Sequence, residues 1–114
     1  MSDETLHITL TGRAPVTIVK ADWPRIARAE DNDATQPGNQ PNRTWTLTVR
    51  RHADGRAIVY GEYSTAWQGE SDIDAGELLA PGDDIPAAVH RVAETIGRPD
   101  LAQYCLADLP PETL

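Results

Sequence analysis

At 114 residues, 39% of them hydrophobic, the chain is sized for one folded domain, 1–114, around a single core. Eighteen acids against ten bases leave a net charge of −8, a field that repels nucleic acid phosphates and anionic membranes and suits basic partners or plain solubility. One cysteine excludes an internal disulfide. The N-terminal MSDETLHITL lacks a basic stretch leading into an apolar run, and nothing approaches the roughly 18 apolar residues of a membrane span. A cytoplasmic protein is expected.

From Thr5 to Thr11 the chain alternates strictly, with Leu6, Ile8 and Leu10 on one face, which predicts a half-buried strand. GRAP, Gly12 to Pro15, makes a turn, and Val16 to Val19 returns as a second strand. In ADWPRIARAE, Asp22 suits an N-cap and Pro24 the first turn, so a short helix from Asp22 to about Glu30 is predicted. Residues 31–42 are polar, hold proline and glycine, and read as a mobile surface loop.

The segment from Arg43 to Trp67 reads as a hairpin. Ala53-Asp54-Gly55 suits a three-residue loop whose glycine takes the left-handed conformation. That loop pairs His52 with Arg56, so Val49 faces Val59, Leu47 faces Gly61 and Trp45 faces Tyr63. The register puts the apolar residues on one face. Gln68 to Asp83 reads as an acidic loop. Asp84 then caps a helix with Pro86 in its first turn, an apolar stripe of Ile85, Val89, Val92, Ala93 and Ile96, and Gly97 as its stop. A third helix restarts after Pro99 with Leu101, Cys105 and Leu109 inward, and 110–114 form a frayed tail. The fold class is α+β: a four-stranded antiparallel sheet in the order strand, strand, helix, strand, strand, helix, helix, with helices on one face.

Motifs for chemistry are absent. His7, His52 and His90 have no second ligand at metal spacing, and there is no Walker loop, dinucleotide fingerprint or nucleophile elbow. Asp72-x-Asp74-x-Gly76 has the outline of a calcium loop, but Glu77 stands where that loop needs its glycine. Cys105, on an apolar helix side, reads as a structural thiol. No catalytic residue, metal or cofactor is assigned, and a non-enzymatic protein is expected.

Two surfaces remain. The acids Glu70, Asp72, Asp74, Glu77, Asp83 and Asp84, beside Trp67, could form a negative face for a protein partner, itself basic or DNA-binding. The outer hairpin face, with Arg50, His52, Arg56 and Tyr60, is the alternative: arginines for phosphates and a tyrosine for a stacked base. The phrases ITLTGRAPV, DWPRIA and WTLTVRRHADGRAIVYGEYSTAWQGE resemble short uncharacterised proteins of bacterial plasmids and integrative elements. The resemblance carries no functional motif. It implies an accessory role on a mobile element, where regulators, anti-restriction proteins and other anti-defence factors occur; an anti-defence role in which the acidic face imitates DNA is the sharpest version of the partner-binding reading.

Overall fold

The computed structural model describes residues 4–34 and 40–111. Six strands precede two helices: β1 (Thr5–Ile8), β2 (Val16–Val19), a 3-10 turn (Lys20–Asp22), β3 (Arg25–Asn32), β4 (Arg43–Arg51), β5 (Ala57–Thr65), β6 (Ile73–Leu79), α1 (Ile85–Thr95) and α2 (Leu101–Ala107). The four-stranded antiparallel sheet expected from sequence exists, but its members are β3-β4-β5-β6 in that order. β1 and β2 pair only with each other, as a separate hairpin.

The sheet is covered on both faces. One face presents Ala27, Ala29, Leu47, Val49, Ala57, Val59 and Ala75 to both helices, whose Val89, Val92, Ile96, Leu101 and Cys105 complete the main core. The other face presents Ile58, which packs with Ile8, Leu10, Ile18 and Trp23 from the hairpin and the turn after it. Strand alternation creates this arrangement, because neighbours in sequence point to opposite sides of the sheet.

The β4–β5 hairpin follows the turn chemistry. Gly55 has φ 98°, the His52 N–H donates to the Arg56 carbonyl at 2.8 Å, and Val49, Leu47 and Trp45 oppose Val59, Gly61 and Tyr63. α1 also begins and ends where its caps lie. The Asp84 Oδ1 accepts from the Ala87 N–H at 3.0 Å, and the Arg98 N–H returns to the Ala93 carbonyl at 3.0 Å past Gly97 at φ 83°.

Two further expectations are overturned. The helix expected over Asp22 to Glu30 is instead a 3-10 turn followed by β3. Alanine favours helices, but Ala27 and Ala29 alternate with the exposed Arg28 and Glu30, and pairing with β4 outweighs the weak local preference. The small side chains also sit in the core that holds Leu101, Ala102 and Cys105 of α2. The supposed acidic loop from Gln68 to Asp83 contains β6, paired with β5 from Tyr63↔Ile73 to Ala57↔Leu79.

Gly76 accounts for much of the disguise. A Cβ there would lie 2.4 Å from the Thr9 carbonyl oxygen, so the chain leaving β1 rests directly on the strand. Thr11 completes the join: its N–H donates to the Gly76 carbonyl at 2.8 Å, and its Oγ1 accepts the Gly76 N–H at 3.2 Å. Of the loop expected over 31–42, Asp31 and Asn32 belong to β3 and 35–39 lie outside the described residues. Of the expected tail, 112–114 also lie outside them.

Candidate functional site

The densest group of polar contacts is at the turn joining β5 to β6. Arg43, at the start of β4, donates from Nη2 to Glu70 Oε2 at 2.7 Å and from Nε to Oε1 at 3.2 Å. Oε1 also accepts the Tyr63 hydroxyl and the Thr65 Oγ1 hydroxyl, each at 2.7 Å. The forked guanidinium and two hydroxyls hold the Glu70 carboxyl down to about 2. The same ion pair raises the Arg43 pKa, with the Tyr63 contact second. Asp72 closes the turn by accepting the Thr65 N–H at 2.9 Å, and the Trp67 N–H donates to Thr65 Oγ1 at 3.1 Å.

This network displays an aromatic. Trp67 is 50% exposed, and the Arg43 guanidinium lies 5.6 Å from its ring centroid. On the same side of the sheet, Tyr63 stacks on Trp45 with centroids 5.3 Å apart, and Arg98 lies 4.7 Å over Trp45. Arg98 is itself fixed by Asp100 at 2.8 Å and Asp31 at 2.9 Å. Ile73, opposite Tyr63, is also exposed. Arg98, Trp45 and Tyr63 form one stack and Arg43 and Trp67 another, joined by the hydrogen bond from Arg43 Nε to the Tyr63 hydroxyl at 3.2 Å, in a ribbon across one end of the sheet.

Behind it, on the hairpin side, two carboxylates confront each other. Glu62 of β5 lies directly opposite Asp74 of β6. Burial raises the Glu62 pKa, and Asp74 and then Asp72 raise it further. Like charges in directly opposed positions destabilise a sheet, and no base among the described residues forms an ion pair with Glu62, Asp72 or Asp74. Both acids line a cleft of about 120 Å³ with His7, Thr9, Thr46 and Tyr60.

The residues singled out from sequence divide by position. Trp67, Glu70 and Asp72 meet at the turn, with Asp74 one step into β6. Glu77 faces the side of the sheet opposite Asp74 and forms a two-pronged pair with Arg91 of α1, both contacts at 2.8 Å. Asp83 accepts the Ala80 N–H at 2.8 Å and Asp84 caps α1, at the far end of a strand about 20 Å long. Arg43, Glu62 and Ile73 belong to the candidate surface but were not singled out. Recognising β6 would have set Glu62 against Asp74.

Arg50, His52, Arg56 and Tyr60 lie around Trp23. Arg50 donates to the Tyr60 hydroxyl at 2.9 Å and the Trp23 carbonyl at 3.1 Å. Arg56 lies 5.0 Å over the Trp23 ring, and His52 meets that ring edge-on at 5.1 Å. Tyr60 packs against the hairpin core. Among the described residues, no group of three or more His, Cys, Asp or Glu is placed to hold a metal. Burial pushes the Cys105 thiol up to about 11, the condition of an unreactive structural cysteine. No protein-family model, curated protein or solved structure matches the chain.

Proposed function

We propose that this is a non-enzymatic binding protein that engages a protein partner through the β5–β6 turn. The observation that carries the reading is the half-exposed Trp67, displayed beside Arg43, whose guanidinium Glu70 fixes. Tryptophan, tyrosine and arginine dominate the energetics of interfaces, and an anchor already held in place loses little freedom on binding. The opposed Glu62 and Asp74, with Asp72 nearby, favour a partner bearing arginine or lysine, whose charge relieves their repulsion.

An anti-defence role on a mobile element is the specific form of this proposal. In that role Glu62, Asp72 and Asp74 stand in for DNA phosphates against a basic groove. Support comes from the net charge of −8 and from the three carboxylates gathered at one end of the sheet. The test is capture from bacterial lysate, with and without nuclease, by wild type, Trp67→Ala and Asp72→Asn/Asp74→Asn. The expected result is one protein retained by wild type and lost from both variants. Equal retention by all three, or recovery of nucleic acid alone, would defeat the proposal.

A further inference from the structure

The two edges of the sheet are treated differently. β6 is closed at Gly76 by Thr11. On the outer edge of β3, the hydrogen bond found among the described residues is the Arg28 N–H donating to Asp108 Oδ2 at 2.9 Å. That bond shows which way the strand faces. Arg28 turns its main-chain groups away from β4, and by alternation so does Glu30 two residues on. Among the described residues, no hydrogen bond reaches the Glu30 N–H or carbonyl from outside the sheet. Beside this edge runs a groove of about 400 Å³ lined by Ala29, Glu30, Asp31, Arg98, Leu101 and Tyr104. Tyr104 is 60% exposed, an unusual placement for a large ring next to an open strand.

We propose that the β3 edge is a self-association surface. Two copies pair antiparallel through β3 about a twofold axis at Ala29, and Asp108 is the latch that the incoming strand displaces. The charge pattern selects this register. Hydrogen bonds form only when outward-facing residues oppose each other, which beyond the irregularity between Arg25 and Ala27 allows axes at Arg28, Ala29, Glu30 or Asp31. An axis at Arg28, Glu30 or Asp31 sets two identical charges face to face. The axis at Ala29 sets Arg28 opposite the second copy's Glu30, and Glu30 opposite the second copy's Arg28.

Within one chain Arg28 and Glu30 already form an ion pair at 3.2 Å. The dimer therefore closes a square of charges in which every side joins opposite signs. Ala29 meets its own copy at the axis, where a small side chain permits close approach. A twofold perpendicular to the sheet keeps both α2 helices on one face and brings the two Tyr104 rings toward the axis. The Arg28 N–H exchanges the Asp108 carboxylate for a main-chain carbonyl, and the Glu30 N–H and carbonyl gain partners. The Trp67 end is not used, so this inference stands independently of the proposed binding role.

The test is sedimentation equilibrium of the full chain from micromolar to millimolar concentration. Wild type, Asp108→Ala, Glu30→Arg and the charge-swapped Arg28→Glu/Glu30→Arg are compared, with circular dichroism confirming that each is folded. The expected result is a monomer–dimer equilibrium, tightened by Asp108→Ala. Glu30→Arg should weaken it by roughly tenfold, the scale for two opposite-charge pairs turned into like-charge pairs. The charge swap should recover it. Absence of dimer in both wild type and Asp108→Ala would overturn the proposal, as would a charge swap no better than Glu30→Arg.

Discussion

Glu70 and Glu62 lie eight positions apart and respond to pH in opposite senses. Glu70 accepts from Arg43, Tyr63 and Thr65, which lowers its pKa from an ordinary 4.5 to about 2. A lowered folded-state value means stabilisation that is complete above pH 4.5 and disappears as pH falls toward 2. Glu70→Gln should therefore lower the thermal midpoint at pH 7 and make little difference near pH 2. A constant gap across that range would contradict the geometry. Glu62 is raised, so its ionised form opposes folding at neutral pH. Glu62→Gln should raise the midpoint at pH 7, with the gain fading once the native carboxyl is protonated in acid. Neither role could be read from the residues alone. Both acids sit in an evident charge-rich stretch, but their partners Arg43 and Asp74 come from other strands.

At the scale of elements, legibility followed the locality of the cause. The β4–β5 register and the α1 caps depend on residues within a few positions, chiefly Gly55, Asp84 and Gly97, and they appear where the pattern put them. β3 and β6 depend on distant contacts. Ala27 and Ala29 are small because helix α2 packs with them, and Gly76 is bare because the chain at Thr9 crosses it. Such causes leave residues that look like helix or loop formers. Gly76→Ala tests this. Its Cβ would meet main-chain oxygen, which cannot swing aside, so a loss of about 1–3 kcal/mol is expected by urea unfolding. Gly61→Ala, whose Cβ would meet the Val92 Cγ1 tip at 2.9 Å and the Thr46 carbonyl oxygen only at 3.1 Å, should cost less. Equal costs would mean that the hairpin is not seated on Gly76.

For the whole molecule, the charged side chains between Arg43 and Asp84 fall into two kinds of contact. Arg50 and Arg56 serve the Trp23 side of the sheet, where Arg56 lies over the ring and Arg50 donates to the Trp23 carbonyl. The acids distribute along β6, some closing turns and caps, others collecting with Trp67 at one end. A net charge spread over the surface would indicate solubility. Here three carboxylates without ion-pair partners among the described residues lie at the same end of the sheet as an exposed tryptophan.

The most direct test replaces Gln68, the exposed neighbour of Trp67, with the photo-crosslinking residue p-benzoylphenylalanine, in bacterial cells producing the protein. The same replacement at the exposed His90, on the outer side of α1, serves as control. Substitutions at exposed positions usually change stability by no more than about 0.5 kcal/mol, so both proteins should fold. A discrete protein adduct from position 68, absent from position 90, is the result expected of a binding surface at the β5–β6 turn. Adducts to nucleic acid, or the same adducts from both positions, would contradict it.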